Sequence, residues 1–295
     1  MGARGAMGAN GARGATGAMG ATGARSAMGA RSAMGARSVT GAKGGRLSRG
    51  AKGARKVALV RALSKLGYAS RSQAYELIRI GKVEVNGRVV TDPAFTVAPG
   101  LTRIQIAGIE VDRAPWRCIA INKPRSVVTT RSDPQGRTTV YDLISGFTDR
   151  VVPVGRLDLA STGLLLMTND TSLADWLTDP TTATTRRYVV TVRGELSDRL
   201  AASLLKGIDD RGETLTAASI EILKRSKRET HLIIELTEGK NREIRRMLKA
   251  VGHEVTRLKR IAFGGIELGD LAPGKWRDIT ADEMRAAFPR APIRT

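Results

Sequence analysis

The chain has 295 residues, with 49 Lys and Arg against 28 Asp and Glu, a formal net charge of +21. Hydrophobic residues make up 41%, enough for a packed core, and no apolar run nears the roughly 20 residues of a membrane span. One cysteine excludes an internal disulfide and, with two histidines, argues against structural zinc; a reducing, cytoplasmic setting fits, and the charge calls for a polyanion, most simply nucleic acid.

Residues 1–55 hold ten basic and no acidic residues, 15 of the 33 glycines and no proline. Glycine recurs at every third position from Gly2 to Gly23, then Arg-Ser-Ala-Met-Gly-Ala begins at Arg25 and again at Arg31. Collagen needs proline-rich X and Y positions, a secretory signal needs an apolar stretch, and a transit helix does not tolerate glycine at this density. The reading is a disordered basic arm, either a plain solubilising extension or a non-specific phosphate binder.

Residues 56–115 read as a small RNA-binding module. Leu59, Leu63 and Leu66 repeat at helical spacing and stop at Gly67. A second helix opens at Ser70, with Gln73 as capping-box partner, runs through Ala74, Leu77 and Ile78, and stops at Gly81. Val83 to Val90, with Asn86-Gly87 at its centre, is a hairpin, and Ile104 and Ile106 suggest one more strand. Arg71, Arg79 and Lys82 decorate this unit. Two short helices followed by a hairpin resemble the alpha-L RNA-binding domain found in ribosomal protein S four and in several RNA-modifying enzymes. That resemblance implies that Arg71, Arg79 and Lys82 face RNA phosphates.

Residues 116–290 read as a catalytic domain. Strands are expected at 119–121, 164–167, 188–192, 219–222, 231–236 and 255–258. Helices are expected at 140–144, at 172–177 after a Thr171 cap, at 198–205 after a Ser197 cap, at 242–251 and at 282–288. The pattern gives an α+β domain with a mixed, mostly antiparallel sheet and flanking helices. Phosphate-loop, dinucleotide and zinc-protease motifs are absent, so no cofactor and no metal are expected.

Three stretches carry chemistry. In Gly155-Arg156-Leu157-Asp158, the aspartate is the only acid between Arg150 and Asn169; on position alone it suits a turn former as well as a catalytic carboxylate. Tyr188 opens a strand, either as packing or as a face on which an unpaired base stacks. In the helix from Arg242, the cations Arg242, Arg245, Arg246 and Lys249 share one face and Ile244, Met247, Leu248 and Val251 another. The cationic face lacks interspersed acids, which points to a phosphate or carboxylate partner.

Taken in order, Asn122-Lys123-Pro124, Asp133-Pro134-Gln135-Gly136-Arg137, Gly155-Arg156-Leu157-Asp158, Arg187-Tyr188-Val189-Val190 and Asn241-Arg242-Glu243-Ile244-Arg245-Arg246-Met247 resemble one family of ribosomal pseudouridine synthases. That family comprises the small-subunit enzyme of type A and the large-subunit enzymes of types B, E and F. The stretch from Glu238 to Met247 is nearest type B. Two positions depart from the family pattern: Arg125-Ser126 stands where a glycine usually follows Lys-Pro, and Arg186 where a lysine usually precedes the tyrosine. The resemblance implies an isomerase that converts a uridine of ribosomal RNA, of the 23S large-subunit molecule, to pseudouridine. Asp158 would be the catalytic carboxylate, Arg245 its ionic partner, Tyr188 the stacking ring, Ile244 an apolar wall and Arg156 the filler of the space left by a flipped base. Arg242, Arg246 and Lys249 would touch RNA. A monomer acting on ribosomal RNA or an assembly intermediate is expected. The competing readings are a 16S-directed synthase, a non-catalytic ribosome-assembly factor and a DNA-compacting protein, the last of which explains only the arm.

Overall fold

The computed structural model describes residues 56–98, 102–112 and 114–293; the basic arm expected over residues 1–55 lies outside them. In the N-terminal module, helix α1 (Leu59–Lys65) buries Leu59, Ala62 and Leu63 and ends at Gly67, whose φ of +82° is the left-handed conformation that glycine adopts without strain. Helix α2 (Arg71–Arg79) opens on the full capping box: the Gln73 N–H donates to Ser70 Oγ and the Ser70 N–H to Gln73 Oε1, each at 3.1 Å. Such a cap contributes about 1 kcal/mol. The Val83–Val85 strand pairs antiparallel with Arg88–Val89 across Asn86-Gly87, both at positive φ, and with Ile104–Ile106 on its other edge. Val83, Val85, Ile104 and Ile106 close a small core over the two helices.

The larger part of the chain is built on one sheet. Its strands lie side by side in the order Ser219–Arg225, Glu229–Leu236, Arg186–Arg193, Val255–Phe263, Thr162–Thr168, Cys118–Lys123 and Trp276–Asp278, with Val152–Pro153 and Ile266–Glu267 as short side pairings. Every pairing is antiparallel except Val255–Phe263 against Thr162–Thr168.

Alternation along the strands shows how the sheet is packed. Ile119, Ile121, Leu165 and Met167 point into one core; Cys118, Ala120, Leu164 and Leu166 point into a second core on the opposite face. In Glu229–Leu236, by contrast, only alternate residues are buried. The sheet is therefore covered on both faces at its centre and on one face toward the Ser219–Arg225 edge.

Helix α3 (Thr171–Thr178) packs into the second core through Leu173 and Leu177. Helices α4 (Asp198–Lys206) and α5 (Glu243–Ala250) pack into the first, and α6 (Ala281–Ala287) buries Met284 in the second. No helix among the described residues is long and apolar enough to cross a membrane.

Three local expectations change. Residues 140–144 form only a 3-10 turn, Asp142–Ile144, because Val128 bridges to Thr139, the Val140 N–H donates to the Val128 carbonyl at 2.9 Å and the Asp142 carboxylate accepts from the Thr139 N–H at 2.7 Å. The cap of α3 is Asp170, whose carboxylate accepts from the N–H groups of Ser172 and Leu173, so Thr171 is the first helical residue. Arg242 lies outside α5, at φ 49°, in the left-handed region.

Candidate active site

Asp158 sits in the loop of residues 155–161, between the Val152–Pro153 and Thr162–Thr168 strands. The loop is fixed on both sides of the carboxylate. The Thr129 hydroxyl donates to the Leu157 carbonyl at 3.0 Å and accepts from the Leu157 N–H at 3.4 Å. The Ser126 N–H donates to the Leu159 carbonyl at 2.9 Å, and the Ser161 N–H closes a turn on the Asp158 carbonyl at 3.0 Å. Beyond the turn, Gly163 has φ +100° and lies against the neighbouring parallel strand; a Cβ there would stand 2.1 Å from the Arg260 carbonyl oxygen. Only glycine permits this approach, and with it the exit of the loop toward the cleft.

The cleft has a volume of about 580 Å³. Asp158 and Arg156 line it from the loop, Tyr188 from the sheet, and Arg242, Glu243 and Ile244 from the start of α5. The Asp158 side chain is 34% exposed, and Arg242 Nη1 stands 3.6 Å from its Oδ2 with 52% of the Arg242 side chain in solvent. The pair is thus a loose, accessible one, too long for a hydrogen bond. Tyr188 and Ile244 are buried at the wall, and Arg156 is exposed at the rim.

The resemblance implies Arg245 as the ionic partner of Asp158. The contact at 3.6 Å is made by Arg242, which precedes α5 with a left-handed backbone and lines the cleft. Arg245, one turn further on, donates to the Val255 carbonyl at 3.0 Å and to the Ala160 carbonyl at 3.4 Å. It braces the loop two residues past Asp158 and ties it to the Val255–Phe263 strand. Burial and the neighbouring Arg242 push its pKa down, while the nearby Asp158 charge acts in the opposite direction.

Arg246, expected among the RNA contacts, has acidic partners within the chain. It is engaged by Asp210 and by Glu213, the latter at 2.6 Å, on the hairpin of residues 208–215. Its acids come from a distant segment and so were invisible in the α5 pattern. Lys249 is exposed on α5, and Arg71, Arg79 and Lys82 are exposed on the N-terminal module, with Arg79 3.8 Å from Glu76.

Three buried charges also line the cleft, and the sequence reading gave none of them a role there. Arg186, Glu243 and Arg260 are each nearly inaccessible. The two guanidiniums flank Phe263, each 5.1 Å from its ring centroid. Glu243 Oε2 accepts from the Lys240 N–H at 3.1 Å, while its Oε1 is buried without a partner; burial pushes this carboxyl up to about 7. Lys123 is also fully buried. Its ammonium donates to the carbonyls of Pro124 and Val127, and burial lowers its pKa to about 8 against the opposing charge of Asp158. A signal was present: Arg186 is in phase with Tyr188 and Val190, and Glu243 with Met247, so both fall on the buried face of their element. Among the described residues no group of His, Cys, Asp and Glu is placed to hold a metal ion.

Comparison with known proteins agrees with this architecture. Residues 117–250 match the RNA pseudouridylate synthase family model and residues 59–102 match the S4 domain model. An uncharacterised RNA pseudouridine synthase of Aquifex aeolicus is 37% identical over 79% of this chain and 94% of that protein. The ribosomal large subunit pseudouridine synthase B of Bacillus subtilis is 38% identical over 77% of this chain and 93% of that protein. A crystal structure of a pseudouridylate synthase superposes with a TM-score of 0.55 and 26% identity, covering 78% of this chain and 98% of the other. A two-helix RNA-binding module, a mixed sheet and an aspartate-bearing cleft are thus set within a chain that matches these relatives over most of their length, and the chain belongs to the RNA pseudouridine synthases, isomerases that act on RNA.

Proposed function

We propose that the protein isomerises a uridine of ribosomal RNA, in the large subunit, with Asp158 as the catalytic carboxylate. The observation that carries this reading is the partly exposed Asp158, at a cleft lined by Tyr188 and Ile244, with a cation 3.6 Å away. Pseudouridine formation breaks the bond from the ribose C1′ to uracil N1 and makes one from C1′ to C5; the proton lost from C5 is matched by one gained at N1. No redox step and no group donor enter the balance. One carboxylate suffices, either as nucleophile at C1′ or as base toward a sugar proton.

The target uridine leaves its stack to reach Asp158. Its base lies against Tyr188 with Ile244 as the apolar wall, and Arg156, at the rim, occupies the space it vacates. Arg242 balances the carboxylate charge and releases it easily, while Arg245 positions the loop. Residues 56–115 dock the RNA through Arg71, Arg79 and Lys82, residues 116–290 carry the chemistry, and Lys249 adds a phosphate contact. The protein acts as a monomer in the cytoplasm. The large-subunit target follows the name of the Bacillus subtilis relative.

Pseudouridine mapping of 23S and 16S ribosomal RNA from a deletion strain, with and without the gene restored, tests this. Loss and return of one 23S site is the expected result. A 16S site would move the target to the small subunit, and an unchanged map in both would remove ribosomal RNA as the substrate.

A further inference from the structure

A second cleft, of about 610 Å³, opens where the N-terminal module meets the larger domain. Tyr68 and Gln73 line it from the N-terminal side; Arg131, Tyr141 and Arg150 line it from the other. Arg131 stacks on Tyr141, 4.3 Å from the ring centroid, and donates to the Val151 carbonyl at 3.4 Å. Arg150 donates to Gln73 Oε1 at 3.0 Å, across the junction. Neither guanidinium has a carboxylate partner among the described residues, for the acid on the rim, Asp149, is held by Arg117 at 2.8 Å.

Burial and the charge of Arg131 both push the Arg150 pKa down, so the two cations repel each other in a partly desolvated site. An anion between them relieves that repulsion, and a guanidinium fork suits phosphate oxygens best. The volume is that of a ligand site and exceeds the needs of one phosphate. The Tyr68 ring, 46% exposed, supplies a face on which a base can stack.

We propose that this junction cleft is a second RNA site, separate from the Asp158 cleft, which holds one phosphodiester of the substrate between Arg131 and Arg150 with the attached unpaired base against Tyr68. The proposal rests on RNA being the substrate and not on which uridine is modified. It also places an RNA anchor close to the chemistry along the chain: Arg131 is two residues from Thr129, whose hydroxyl holds Leu157 beside Asp158.

The test uses the full chain and a ribosomal RNA fragment, with affinity measured over a range of salt. Replacing both arginines (Arg131→Gln with Arg150→Gln) should lower the magnitude of the slope of log affinity against log salt by about 0.7–0.9, one phosphate's worth, and weaken binding several-fold. Arg131→Lys, which keeps the charge, should retain the slope. Tyr68→Ala should weaken binding about fivefold or more with the slope intact, because it removes stacking and no charge. Turnover at saturating RNA should stay within about twofold in all of these.

An unchanged slope and affinity in the folded double variant overturns the proposal, as does a loss confined to turnover. If the double variant fails to fold, Tyr68→Ala, at an exposed ring, decides by its affinity. Uridine monophosphate and inorganic phosphate are titrated in parallel. Tight binding of either that needs both arginines, with the RNA slope unchanged, would make the cleft a small-molecule site and overturn the RNA reading. If wild type forms no pseudouridine in ribosomal RNA, the proposed function fails, while the slope comparison still decides the junction site.

Discussion

Two of the carboxylates that line the cleft, Asp158 and Glu243, have surroundings that give them opposite characters. Asp158 sits on a loop, a third exposed, with a loosely held cation beside it. Glu243 sits at the head of α5, buried, with one oxygen on the Lys240 N–H and the other unpartnered, and its carboxyl rises to about 7. Availability to a substrate differs between them: Asp158 is partly exposed in the cleft, whereas Glu243 Oε1 is inaccessible and its Oε2 is held by the Lys240 N–H. The first is suited to chemistry and the second to holding the wall behind Tyr188 and Ile244 in place.

The sharpest way to break this contrast is Asp158→Asn. The change keeps size and turn propensity but removes the charge and the oxygen that would serve as nucleophile or base. Turnover should fall by at least about 10³-fold while RNA affinity stays within a few-fold. Near-normal pseudouridine formation at matched binding would reassign the chemistry and remove the distinction between the two acids.

Arg245→Met should come next. It removes the two donors that hold the Ala160 and Val255 carbonyls, so the loop carrying Asp158 loses its brace. We expect turnover lower by about 10–100-fold at nearly unchanged RNA affinity, with a stability loss of about 1 kcal/mol from two part-buried carbonyls losing their donor. A loss of stability with turnover intact would make the residue purely structural. Arg242→Gln should cost less, about 3–10-fold in turnover, because an exposed pair at 3.6 Å contributes little. If Arg242→Gln proved the more damaging of the two, the loose contact in the free protein would tighten on RNA, and Arg242 rather than Arg245 would be the essential arginine.

Much of this was legible in the sequence. The capping box at Ser70 and Gln73, the Asn86-Gly87 turn and the strands expected at 188–192 and 231–236 are local signals, and they match the structure. The cleft residues Asp158, Tyr188 and Ile244 were legible through ordered motifs. Pairing between distant segments was not. Arg246 reads as a free cation until the 208–215 hairpin brings Asp210 and Glu213 to it. Arg242 and Arg245 are three residues apart, and periodicity does not report that Arg242 precedes the helix in a left-handed conformation while Arg245 reaches two carbonyls. The junction cleft combines residues 68–73 with 131–151, segments joined only by tertiary packing.

The smallest effect should come from Glu243→Gln, and it should appear in stability rather than in rate. In the folded protein this carboxyl titrates near 7, against an ordinary value of 4.5. Between those values the folded state binds more protons than the unfolded state, so stability falls as pH rises through this window. The expected loss from pH 5 to pH 7.5 is about 2 kcal/mol, read from urea unfolding at each pH. Glutamine is neutral throughout, so the variant should lack this part of the slope and be the more stable protein at pH 7.5. Lys123 does not confuse the comparison. Its lowered pKa of about 8 makes stability fall with decreasing pH only between its ordinary 10.5 and 8, above the window used. Turnover at saturating RNA should change by no more than about twofold, since one carboxylate oxygen is inaccessible and the other is held by the Lys240 N–H. Identical pH slopes in wild type and variant would mean that Glu243 is ionised when folded, and the environmental contrast with Asp158 would fail.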